Sequence, residues 1–556
     1  MSIFSQVAID EPQKSVFDLS HSRKLTCKAG YIVPVFCQYT MPGDKFKISV
    51  GTFARTLALK APMMQNVNVD IHFFSVPLRL VWQDWERFIS GPEKPSYDSQ
   101  GKPIWDPDPV HPYATLNMVQ DINDWTTSSL ADYLGFPVIK KSEKDQYTVS
   151  QLNPKFKIDT LPFRAYQKIY NDWYRDENLI DKPAPIMGSD KENVSNFNYW
   201  LLKLRSRAWK KDYFTSALPF PQRGEDVLLP LVDTQTGETN ADGGKITAPI
   251  TGSGSLQFYG GAGQVTKNTP ETMAGPLVAG NKNLTLNMDF QGNSWMKADL
   301  SNLRSSTIIE IRRAFALQKW FENSARLGAR YIEQMLSHFG VKSSDARLQR
   351  PEFIGGCSTP LVVDSVTQTS ESGSTPQGTL AGNATAIGGE SICDYYCEEH
   401  CIIMGLLTVR PQNQYILGIP RQFSMFERFD FPFPEFANIG EQAIKRKELY
   451  IPFSGEASYK SEDIFGYTPR YSEFKFIPST IHGEFQDTLN YWTMARKFGA
   501  TTKLNQSFID ITESKESNQR PFAYQGDEDN YLVQLNFDVT AVRPLPYYSI
   551  PGYLDH

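Results

Sequence analysis

A chain of 556 residues, 40% hydrophobic and 13% aromatic, can bury a large core and is too long for one minimal domain. Its formal net charge of −6 excludes a protein that wraps nucleic acid by basic excess alone, so any such contact must be local or delegated to a partner. The 37 glycines and 36 prolines favour turns and short strands, and six irregularly spaced cysteines exclude a disulfide framework and fit reduced thiols of a cytoplasmic product.

The opening Met1-Ser2-Ile3-Phe4-Ser5-Gln6 has no basic region followed by an apolar run, so no secretory signal is expected. Val67, Val69, Ile71 and Phe73 alternate with Asn68, Asp70 and His72 before Pro77, which predicts an antiparallel strand with one wet face. Val81, Trp85, Phe88 and Ile89 share one helical face, as do Tyr166, Ile169, Tyr170 and Trp173; both stripes predict helices packed on the core. Asp106-Pro107-Asp108-Pro109 offers two carboxylates, but on an extended loop without the cleft that glycoside chemistry needs.

Arg205, Arg207, Lys210 and Lys211 surround Trp209. They form a candidate DNA-facing cluster, with cations for phosphates and an indole to stack on an unpaired base. The plainer reading is a solvated face or salt bridges between subunits. Residues 224–300 hold 12 of the 37 glycines and no Cys or His, yet Leu284, Leu286, Met288 and Phe290 alternate. This predicts a surface excursion with some strand content. A helix is expected over 307–339, opened by the capping-box pattern Thr307-Ile308-Ile309-Glu310 and stopped by Gly340. Residues 355–389 read as a long polar loop or partner-binding arm, too poor in apolar residues to order itself.

Cys393, Cys397, His400 and Cys401 form the one pattern with metal-ligating residue types, though not at paired C-x2-C spacing. Thiols packed under a loop are the plainer reading. Residues 402–409 are nearly all apolar and predict a strand buried on both faces, too short to cross a bilayer. Phe431, Phe433 and Phe436 lie in an extended apolar run that would be costly to expose on a monomer, which makes them self-association candidates. Lys445-Arg446-Lys447 is a second basic cluster, and Phe474 and Phe476 flank Lys475 in a short candidate strand. Val533, Leu535, Phe537, Val539 and Ala541 alternate with polar residues and predict another half-buried strand. The glycine clusters at 252–254 and 260–263 lack the Lys-Ser/Thr ending of a phosphate loop, and no serine sits in a G-x-S-x-G elbow. No enzyme and no cofactor is expected.

Blocks along the whole chain resemble major capsid proteins of the microvirus family, gokushovirus branch. They are Phe17-Asp18-Leu19-Ser20-His21, Met41-Pro42-Gly43-Asp44 and Phe73-Phe74-Ser75-Val76-Pro77-Leu78-Arg79-Leu80-Val81-Trp82. Leu161-Pro162-Phe163-Arg164-Ala165-Tyr166, Trp173-Tyr174-Arg175-Asp176 and Asp212-Tyr213-Phe214-Thr215-Ser216-Ala217-Leu218-Pro219 follow. His338-Phe339-Gly340-Val341, Asp345-Ala346-Arg347-Leu348-Gln349-Arg350-Pro351-Glu352, Glu399-His400, Phe465-Gly466-Tyr467 and Arg470-Tyr471 complete the order. The cysteines at 393–401 depart from the family pattern, which has mostly aromatic and hydroxyl residues beside the Glu-His pair.

The resemblance implies a mainly β protein, an eight-stranded antiparallel viral jelly roll with long insertions, a few helices and extended arms. Residues 1–223 would form an N-terminal arm and the first part of the roll, 224–300 a variable insertion rising as a threefold protrusion, and 301–556 a helical segment, the remaining strands and a C-terminal arm. It implies a T=1 icosahedral shell of identical subunits around circular single-stranded DNA. A small basic DNA-binding protein and a pilot protein would be partners, with assembly in the bacterial cytoplasm. The protrusion would meet a host glycan or lipopolysaccharide. The rival readings are a carbohydrate-binding or carbohydrate-cleaving β-sandwich and a DNA-binding protein working alone.

Overall fold

The computed structural model describes residues 13–224, 258–259, 264–265, 308–327, 349–367 and 380–548, except 92–95, 98, 101, 105, 184–186, 417, 454–459, 525 and 527. The chain divides into two compact units, Met1–Arg223 with Glu322–His556, and Gly224–Phe321. The second unit therefore runs past the expected border at residue 300 into the helix Ile308–Leu327. Its described strand content is one antiparallel pair, Phe258–Tyr259 with Gln264–Val265. The alternation at 284–290, the capping box at Thr307 and the helix beyond Leu327 lie outside the described residues.

In the larger unit two antiparallel sheets face each other. Their strands are β1 (Ser15–Asp18), β2 (His21–Cys27), β3 (Val33–Thr40), β4 (Lys45–Thr56), β5 (Val67–Pro77), β6 (Glu352–Pro360), β7 (Val362–Thr367), β8 (Leu380–Tyr396), β9 (Cys401–Pro411) and β10 (Tyr531–Arg543). One sheet runs β1–β10–β4–β8–β7, with β2 also paired to β10; the other runs β6–β5–β9–β3. Successive strands alternate between sheets from β2 to β5 and cross again from β6 to β7 and from β8 to β9. This is jelly-roll connectivity, with six and four strands in place of four and four.

The alternating strand β10 turns Val533, Leu535, Phe537 and Val539 inward against Val69, Ile71 and Phe73 of β5 in a continuous core. Its other face is wet, as its sequence predicts. The four-stranded sheet has no wet face. Phe74, Val76, Ile402, Met404 and Leu406 point away from the roll into a second core built on the excursion between β5 and β6. That excursion supplies Trp82, Trp125, Phe163, Tyr166 and Ile169, the last three from the helix Leu161–Ile169. This double burial accounts for the nearly unbroken apolar run of β9.

It also corrects the wet face expected of β5. Asp70 is buried, held by Arg207 Nη1 at 2.8 Å, Arg410 Nε at 2.9 Å and the Ser358 hydroxyl at 2.6 Å. His72 stacks on Tyr174 and shares a 2.8 Å hydrogen bond with its hydroxyl. The alternating polar positions are satisfied by partners distant in the chain.

Two further expectations are overturned. Residues 355–389 are not a free polar loop: 352–360, 362–367 and 380–396 are strands, and 368–379 lie outside the described residues. Backbone pairing to β5 and β4 orders them, and small side chains such as Ala384 and Ala386 suffice to fill the core beneath. Gly355, at φ +158°, sits in a bulge of β6, where a Cβ would meet the Ile392 carbonyl oxygen of β8 at 2.2 Å. Phe474 and Phe476 flank no strand. After Pro469 the chain turns through Tyr471 at φ +62° into a short 3-10 helix, Ser472–Phe474, leaving both rings exposed. Among the described residues no helix is long and apolar enough to cross a membrane.

Candidate assembly surface

The largest departure from ordinary burial is a run of exposed aromatics after β9. Phe423 is 74% exposed and Phe426 85%; Phe429, Phe431, Phe433 and Ile439 are also exposed, while Phe436 is half-buried. The rings of Phe429, Phe433 and Phe436 form a triangle with centroids 6.0–6.3 Å apart. Of the sequence candidates, Phe431, Phe433 and Phe436 thus lie together, within an apron that begins earlier than expected.

The apron is held from beneath by polar groups. Arg421 donates to the Ala443 carbonyl at 2.6 Å and pairs with Glu448 at 3.5 Å and Glu473 at 3.4 Å, both carboxylates being buried. Gln422 donates to the Glu473 carbonyl at 2.7 Å, and the Phe433 N–H donates to the Tyr471 hydroxyl at 3.2 Å. Those bonds tie the apron to 471–477, which adds exposed Phe474, Phe476 and Ile477. Asp430 accepts the N–H groups of Glu427 and Phe426, each at 3.0 Å, and these bonds hold its carboxyl below the usual range. Burial raises the Glu448 carboxyl, against the Lys445 N–H and the Tyr213 hydroxyl that it accepts. An exposed apolar surface fixed this way keeps its shape before any partner arrives, which lowers the ordering cost of association.

The remaining site candidates are dispersed. Arg205 donates to Gln167 and packs against Tyr170 and Trp200, and Arg207 pairs with Asp70. Trp209 is buried, with Arg496 over its ring, so it is closed to a stacking base in the subunit. Lys210 and Lys211 are exposed, and Lys211 pairs with Asp176 at 3.0 Å. Lys445 and Lys447 share Glu462, whose carboxyl their bonds pull down to about 2, and Arg446 pairs with Asp463. Among the described residues no three metal-ligating side chains converge. Burial pushes the thiols of Cys393, Cys397 and Cys401 up to about 12, 11 and 12, which keeps them protonated, and the His400 ring turns to the edge of Trp85, 5.2 Å away. Sequence reasoning missed Phe423, Phe426 and Phe429. The signal that could have found them is their spacing at every third position among polar neighbours.

The capsid protein (F protein) family model matches residues 5–553. The chain belongs to this family. Its relatives include capsid protein VP1 of Bdellovibrio phage phiMH2K, 34% identical over 99% of this chain and 97% of the relative. VP1 of Chlamydia phage 1 is 31% identical and VP1 of Spiroplasma virus 4 is 30% identical, each over the same shares. A structural rather than catalytic role is the property of this capsid family, and the jelly roll is consistent with it.

Proposed function

We propose that this chain is the major structural subunit of a T=1 icosahedral virion shell enclosing a circular single-stranded DNA genome. The observation that carries the reading is the braced aromatic apron on a jelly roll of the capsid family. Apolar surface of that extent is stabilised only when covered, and sister copies cover it repeatedly by symmetry. The apron is the self-association surface, with Phe431, Phe433 and Phe436 at its inner margin.

The mildly acidic chain suits a shell whose genome is condensed with help from a small basic protein, and a pilot protein would complete the particle in the host cytoplasm. Residues 224–300 are assigned to a protrusion that meets a surface glycan or lipopolysaccharide. Negative-stain microscopy and size-exclusion chromatography of purified protein test the central claim. Small round shells or pentamers are expected; a species that stays monomeric at every concentration overturns it. Unchanged adsorption after deletion of the protrusion tip would remove the host-contact role alone.

A further inference from the structure

We propose that a cleft between residues 496–507 and 513–517 of the larger unit is a phosphate site for single-stranded nucleic acid. This rests on the capsid reading, which supplies the strand. Between Asp487 and Asp510 the chain carries Arg496, Lys497 and Lys503 and no carboxylate, against the negative balance of the whole. All three cations line one cleft of about 360 Å³, together with the hydroxyls of Thr501 and Thr502.

Arg496 is 5% exposed, its guanidinium packed over Phe508 at 4.5 Å, Phe498 at 4.9 Å and Trp209 at 5.3 Å. Its Nη2 donates to the Phe508 carbonyl, whereas Nη1 is buried with no hydrogen-bond partner among the described residues. A buried donor left unmade is costly, and an oxyanion oxygen would complete it. Lys497 and Lys503 are exposed, and neither has an acidic partner among the described residues.

The opposite wall bears Glu513 and Glu516. Glu516 acts on Arg520, so its charge is already matched. Glu513 pushes an anion toward the Lys497–Lys503 wall. Three cations spread along a cleft suit successive phosphates of a flexible strand better than one isolated carboxylate.

The test uses full-length unassembled subunits, a fluorescein-labelled oligothymidylate and anisotropy over a salt series. The double variant K497E/K503E is expected to bind about ten-fold more weakly or worse, and its slope of log affinity against log salt should shrink by about 1.4, or 0.7 per lost phosphate contact. K497R/K503R should bind as wild type does. Inorganic phosphate added at constant ionic strength should weaken oligomer binding to wild type more than to K497E/K503E. Equal affinity and equal slope in wild type and K497E/K503E overturn the assignment. The same preparations are imaged by negative stain. Wild-type protein that forms no shells overturns the capsid reading, whereas normal shells with unchanged DNA binding in the variant overturn the cleft alone.

Discussion

Strand β9 and the apron are both strongly apolar in sequence, and they meet opposite fates. In β9, ten of 11 residues are buried, because the facing sheet covers one side and the helical excursion the other. In the apron, a few residues further along the chain, six rings of one residue type stay partly or wholly open. Apolarity therefore does not distinguish a core from an interface; the supply of covering elements within the chain does. The apron is short, broken by 3-10 turns, and has polar groups rather than a second layer beneath it.

That contrast can be broken by substitution. The largest loss of subunit stability is expected for Arg164→Met in the inner excursion. Its guanidinium lies 2.5 Å from Glu192, and both side chains are 3% exposed. Removing one partner strands a buried carboxylate, at a cost of about 3–5 kcal/mol in urea unfolding of dispersed subunits. Leu407→Ala, between the sheets, should cost about 3 kcal/mol by lost transfer energy and a residual cavity.

A smaller loss is expected from acid. Burial, reinforced by Arg207, lowers the His72 imidazole from 6.5 to about 4. The unfolded chain then binds the proton first, so stability is full above pH 6.5 and falls as pH drops toward 4, by roughly 3 kcal/mol at most. His72→Gln should flatten that limb of the stability–pH curve. An unchanged limb would mean that the outer face of β5 admits water. The smallest effect belongs to the apron: Phe426→Ser with Phe429→Ser should move subunit stability by less than about 0.5 kcal/mol. The same pair should abolish shells in negative stain. A subunit that unfolds with the pair, yet assembles when folded, would reverse the contrast.

The sequence made β9 and β10 legible because each carries its environment in its own pattern, unbroken for the doubly covered strand and alternating for the half-wet one. The segments at 355–389 were not legible, since Gly, Ala and Thr strands draw their order from partners hundreds of residues away. Site reading failed for the same reason. Arg207 looks like a free cation until Asp70, 137 positions earlier, is brought beside it. The Phe431–Phe436 run was legible because consecutive aromatics on an extended chain have no local place to hide. Phe423 and Phe426 were masked by their polar neighbours.

The position of β10 has a consequence for synthesis. It lies between β4 on one side and β1 and β2 on the other, so it fills the middle of a sheet whose other strands leave the ribosome hundreds of residues earlier. Until residues 531–543 emerge, the nascent roll holds a gap the width of one strand, and the first strands have nothing to pair with. Folding to closure is thereby deferred until translation of that stretch, a built-in test of length that truncated products fail before they can poison a growing particle.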